Sequence, residues 1–238
     1  MEYKSHDSKS LSPMTETRIC TIDVQLDHYV AVIRKWGRYS SSRLHLAFLA
    51  FSPSEIARIC QEENTPPERI ALDVRHDTQR VRTICARMGW RTMMGDKAER
   101  DYAHPDGIRR IYAEPKIIDA YTGTLLQGAT GSCVVETLFS KNSALNRLHA
   151  LRGSEAKTPT GEPVWTAASD APDWYFKQIN AHYRKRIENA DGSHHYVWHG
   201  QKDDHADDCE SMQVVVATAL GLTGAETMDA PATPLVLS

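Results

Sequence analysis

The sequence predicts an α/β domain with a mixed β-sheet flanked by helices. Two observations lead there: three successive strand-like runs open the chain, and segments of helical and strand periodicity alternate behind them. A length of 238 residues with 41% apolar content is enough to bury one substantial core. One globular unit over 17–222 is expected, with flexible segments at 1–16 and 223–238.

The opening runs are RICTIDVQ, HYVAVIRKWG and SRLHLAFLAF, separated by Leu26-Asp27 and by a polar turn from Tyr39 through three serines, which together read as a β-meander. Ser52-Pro53-Ser54-Glu55 then has helix-start chemistry, and Ile56, Ile59 and Cys60 recur at helical spacing until Asn64-Thr65-Pro66-Pro67 ends the helix. The short run RIALDV follows as a strand. Asp77 or Thr78 caps a second helix whose stripe is Val81, Ile84, Cys85 and Met88, and Gly89 supplies its stop. Beyond Met93 the pattern weakens, and residues 96–130, full of charge, Pro and Gly, read as a loop or hairpin insertion. A strand over 133–138 and a helix over 143–151 closed by Gly153 come next, then a polar connection over 158–172. Residues 173–187 are amphipathic, HHYVWHG is a strand, and a last helix spans 204–220 before Gly221.

Composition excludes several classes. No run approaches the roughly 18 consecutive apolar residues of a membrane span, and MEYKSHDSKS lacks the apolar core of a signal peptide. Five scattered cysteines without a C-x-x-C pair suggest neither a disulfide framework nor a thiolate zinc site. The net charge of -3 hides an asymmetry. Arginines crowd the stretch between Arg75 and Lys116, suited to phosphate, whereas acids crowd the stretch between Asp203 and Glu210, suited to metal.

Three aspartates stand out. The strand period places Cys20, Ile22 and Val24 on one face and Thr21, Asp23 and Gln25 on the other, so Asp23 interrupts an apolar strand. In IALDV, Asp73 sits at the carboxyl end of its strand, where ligands gather in open α/β sheets. In the last helix Asp208, Met212, Val215 and Ala219 share the stripe expected to face the sheet. Any one strand-end Asp could simply cap the turn that follows it. Three acids from two strands and a helix are instead suited to holding Mg²⁺ or Mn²⁺, with a pair of ions about 3.5–4 Å apart activating water and stabilising the leaving oxygen in phosphodiester cleavage. His205, three residues before Asp208, shares its face and is a candidate for proton transfer. Arg75, Arg80, Lys97 and Arg100 flank the second acid and are the candidate DNA contacts. Asp204 and Asp207 read as capping or solvated residues, with approach to a second metal as the alternative for either, Glu210 reads as a surface residue or a support behind the ligands, and Trp174, Tyr175 and Phe176 read as core. The histidines of HHYVWHG alternate along a strand and so do not converge as a zinc site requires.

The runs TIDVQ and VIRKWG, then IALDVRHDTQRVRTICARMGW, DWYFKQINAHY and HADDCE, resemble in the same order the ribonuclease H-like nuclease domain of phage terminase large subunits. The likeness covers most of 17–222 and is strongest in the D-V-Q strand and the H-x-x-D-C-E helix start. It implies a ribonuclease H-like fold with a mixed sheet of five or more strands, and metal ligands at Asp23, Asp73 and Asp208. It further implies an endonuclease that cuts concatemeric viral double-stranded DNA, with an ATPase domain or chain, a small terminase subunit and a portal as partners, in the host cytoplasm. The chain departs from the family's pattern in having Asp73-Val74-Arg75 for Asp-Ser-Gly and Met94-Gly95 for Lys-Gly, with Lys97 displaced. It also carries no GxxxxGK[ST] motif: Gly123 and Gly128 have the glycine spacing without the phosphate-holding Lys. The motor is therefore expected on another chain or a missing segment. Other readings are a resolvase- or transposase-type nuclease of the same fold, and a non-catalytic module that docks DNA or an ATPase.

Overall fold

A computed structural model describes residues 16–126, 132–189 and 191–223. The expected flexible ends thus lie, but for Glu16 and Thr223, outside the described residues. The meander forms as β1 (Thr17–Val24), β2 (Tyr29–Trp36) and β3 (Ser42–Ala50), all antiparallel, with Asp23 opposite Val30. Helix α1 (Pro53–Glu62) starts as its sequence dictates: Ser52 accepts a hydrogen bond from the Glu55 amide, and Pro53 occupies the first turn, where a missing N–H costs nothing. Strand β4 (Ile70–Asp73) pairs parallel with β1. Asp77 caps α2 (Thr78–Met88), and Gly89 ends it in the left-handed region at φ 71°. Strand β5 (Arg91–Asp96) then lies parallel to β4.

Within 96–126, β6 (Tyr102–Ala103) and β7 (Arg109–Arg110) make a small ribbon, while β8 (Lys116–Asp119) joins the main sheet against β9 (Cys133–Ser140). Helix α3 (Lys141–Arg152) begins two residues before Ser143 because Ser140 is its cap, its hydroxyl accepting from the Ser143 amide. Strand β10 (Trp165–Thr166) edges the sheet beside β3. The amphipathic stretch 173–187 divides: α4 (Asp173–Gln178) is short, and β11 (His182–Glu188) pairs along its full length with β12 (His194–Gly200). Each strand of this hairpin satisfies the backbone of the other. The chain's last described helix is α5 (His205–Ala219).

The result is an eight-stranded mixed sheet in the order β10-β3-β2-β1-β4-β5-β9-β8, compatible with a ribonuclease H-like nuclease fold. Both faces are covered. On one, Cys20, Ile22, Leu72, Val81 and Cys85 pack with Ile56 of α1; on the other, Ile19, Val32, Met93, Leu148, Met212 and Val215 pack under α3 and α5. Among the described residues no helix is long and apolar enough to cross a membrane.

Helix α5 is pinned to the sheet by polar bonds as well as apolar contact. The Gln213 amide donates to the carbonyls of Ile19 and Val32 at 3.0 and 2.9 Å and accepts from Trp36 Nε1 at 3.0 Å. Thr21 Oγ1 donates to the Cys209 carbonyl at 2.9 Å. These bonds fix both the rotation of α5 and its height above β1, and with them where Asp208 points. The helix is buried on nearly all sides from Ala206 to Ala217, not only along one stripe, and Ala219, expected on that stripe, is exposed.

Candidate metal centre

Parallel register brings the first two acids together. Ile22 pairs with Leu72, and one residue further along each strand stand Asp23 and Asp73. Asp208, in the first turn of α5, closes the third side of an open cleft of about 360 Å³ lined by Asp23, Val24, Gln25, Asp73, Arg75, His76, Asp204, His205 and Asp208. The three expected ligands and His205 thus share one cleft. So does Arg75, exposed at its rim, whose amide donates to Asp73 Oδ1 at 3.0 Å.

Electrostatics reflects the crowding. Burial, then the neighbouring Asp23 carboxylate, push the Asp73 carboxyl up to about 6. Burial likewise raises Asp208 to about 6, against the pull of Lys141. His205 Nδ1 lies 2.8 Å from Asp23 Oδ2 and 3.0 Å from Gln25 Nε2. The bond to Asp23 holds that imidazole protonated above its ordinary range.

Several partners in the cleft escaped the sequence reading. Lys141, at the carboxyl end of parallel strand β9, sets its ammonium 2.9 Å from Asp208 Oδ2 and 2.7 Å from Oδ1. Only the first contact has hydrogen-bond geometry, so the buried Oδ1 lacks an aligned donor. A strand-end cation beside strand-end acids was the available signal, hidden because nothing in the sequence says β9 is parallel to β5. The His182 side chain, 3% exposed, places Nδ1 2.8 Å from Asp207 Oδ2 and Nε2 3.2 Å from Asp204 Oδ2. Burial opposes its protonation, but the surrounding Asp204, Asp207 and Asp208 carboxylates win and lift it to about 9.

Other residues correct the sequence reading. Asp207 is neither cap nor solvated: at 2% exposure it pairs with Arg152 at 2.7 Å and with His182. Asp204 stands at the cap position without a side-chain cap bond, turned instead toward His182. Glu210 is no surface residue; fully buried, it binds Arg34 Nη1 at 2.9 Å and the Tyr175 hydroxyl at 2.5 Å. Arg80, Lys97 and Arg100 are exposed but do not line the cleft. Arg80 belongs to the outer face of α2, and Arg100 pairs with Asp96 and stacks over Tyr102.

Compared with known proteins, residues 7–229 match the model of the terminase large subunit gpA endonuclease domain. The chain belongs to this family. The terminase nuclease resemblance seen in the D-V-Q and H-x-x-D-C-E segments is therefore borne out, and with it the identity as a phage DNA-cutting domain. No curated protein and no solved structure gives a significant match. In this terminase endonuclease domain the donor set fits divalent metal. Several carboxylates converge, one buried carboxylate oxygen lacks an aligned donor, and His182, Asp204 and Asp208 offer ligand atoms within 4.8 Å of one another.

Proposed function

We propose that this chain is the divalent-metal-dependent endodeoxyribonuclease of a packaging terminase, cutting concatemeric viral DNA with two Mg²⁺ or Mn²⁺ ions. The observation that carries the reading is the meeting of Asp23 and Asp73, at the ends of adjacent parallel strands, with Asp208 from α5 in one cleft. These three carboxylates would hold the cations. When bound, the metal supplies Lewis acidity, lowering the pKa of water and stabilising charge on the departing oxygen.

The protein's own groups do the rest. Water attacks phosphorus and releases a proton to solvent, the P–O3′ bond breaks, and the leaving O3′ takes a proton. His205, kept protonated by Asp23 at the cleft wall, is suited to give it. Arg75 at the rim, with Arg80, Lys97 and Arg100 further out, contacts phosphates and so positions the duplex with little base preference. Translocation is powered elsewhere, by a terminase ATPase domain or chain acting with a small subunit and portal. Purified protein should nick and linearise supercoiled plasmid in Mn²⁺, EDTA should stop it, and Asp23→Ala and Asp208→Ala should be inactive. Intact plasmid with wild type, or wild-type cutting by both variants, overturns the reading.

A pH dependence follows. Asp73 and Asp208 titrate at about 6, so a cation must displace protons below that pH. Mn²⁺ affinity should fall as pH drops through 6, where these two carboxyls take up protons. Calorimetry at pH 7.5 and 5.5 in buffers of different ionisation enthalpy checks both the affinity and the released protons.

A further inference from the structure

His182 is set apart from the rest of its strand. Arg184, Lys185 and Arg186 of β11 are exposed, whereas the His182 side chain lies enclosed against the start of α5. Its two nitrogens have different surroundings. Nδ1 meets Asp207 Oδ2 at 2.8 Å, and Asp207 is itself held by Arg152 at 2.7 Å through its other oxygen. A carboxylate anchored in this way accepts the Nδ1–H hydrogen bond and orients the ring, so that a cation displacing the Nε2 proton meets the lone pair there. Nε2 faces Asp204 Oδ2 at 3.2 Å and Asp208 Oδ1 at 3.6 Å, and that Oδ1 is the buried oxygen without an aligned donor.

Space at this point is kept by a glycine. A Cβ on Gly200, the last residue of β12, would fall 2.2 Å from Asp204 Oδ2 and 3.2 Å from His182 Nε2. The hairpin therefore approaches α5 closely enough to deliver its histidine while leaving the donor atoms room. One imidazole and two carboxylates form a mixed set better suited to first-row transition cations than an all-oxygen set.

We infer that His182, Asp204 and Asp208 form a nitrogen-containing site for one of the two dications, sharing Asp208 with Asp23 and Asp73, which hold the other. It rests on Asp208 being a metal ligand, as proposed above. His182 is thus a ligand brought by the β11–β12 hairpin, and Asp207 and Arg152 are the residues that position it.

The test uses Mn²⁺ and the full chain. Electron paramagnetic resonance of free Mn²⁺ counts bound ions, and electron spin echo envelope modulation reports any nitrogen coordinated to them. Wild type should bind two ions and show ¹⁴N modulation that changes when the chain carries ¹⁵N-histidine. His205→Gln should keep the modulation. His182→Gln should lose it and retain one ion, with folding checked by circular dichroism. Should His182→Gln fail to fold, His205→Gln decides: persistence of the modulation supports the site, its loss overturns it. A wild type that binds Mn²⁺ without histidine modulation, or modulation that survives in folded His182→Gln, overturns this inference and leaves the nuclease reading standing. A wild type that binds no Mn²⁺ at millimolar concentration overturns both.

Discussion

Asp73→Asn should lower DNA cleavage by more than about 100-fold, because even the outer partners of metal ligands contribute about 10–100-fold. The same substitution should stabilise the metal-free fold. The Asp73 carboxyl titrates at about 6 in the folded chain against an ordinary 3.8, so the folded state holds its proton more tightly than the unfolded state does. The cost of the ionised form is fully present above pH 6 and is relieved as pH falls toward 3.8. Asn imitates the protonated acid, so in EDTA at pH 7.5 the variant should gain about 1–3 kcal/mol, the lower end allowing for partial solvent contact. That gain should shrink toward pH 4. Denaturant melts of both proteins at the two pH values, with and without Mn²⁺, check it. A variant no more stable than wild type in EDTA would mean that Arg75 and Lys141 already offset the repulsion from Asp23.

Arg34→Leu should be the most damaging single change to stability outside the cleft. Arg34 is fully buried, binds Glu210 Oε1 at 2.9 Å and Ser42 Oγ at 2.7 Å, and lies 3.7 Å over the Trp165 ring. Removing it leaves the buried Glu210 carboxylate without its ion-pair partner, a loss of about 3–5 kcal/mol. The double variant Arg34→Leu/Glu210→Leu removes both charges and should recover most of that loss, which a cavity effect alone would not allow. Since Glu210 lies two residues beyond Asp208, the single variant should also disturb Mn²⁺ affinity. Urea unfolding and Mn²⁺ titration on the three proteins separate the effects.

What the sequence made legible was local. Strand period put Asp23 opposite the apolar face of β1, the Ser52 and Asp77 caps set the starts of α1 and α2, and the helix period aimed Asp208 toward the sheet. The misses were matters of pairing between distant segments. Lys141 reaches Asp208 only because β9 runs parallel to β5, and His182 reaches it only because β11 folds back along β12. Glu210 and Asp207 read as polar surface because Arg34 and Arg152, the cations that make their burial tolerable, lie 176 and 55 residues away in the chain. Single-helix geometry could not bring those partners together.

The hydrogen bonds from Gln213 to Ile19 and Val32 tie β1 and β2 to α5, across 194 and 181 residues. Contacts of such sequence separation form late, after the long intervening chain has been ordered. Until α5 docks, Asp208 is absent from the cleft beside Asp23 and Asp73. The cleft is therefore complete only once these two distant parts of the described chain have met.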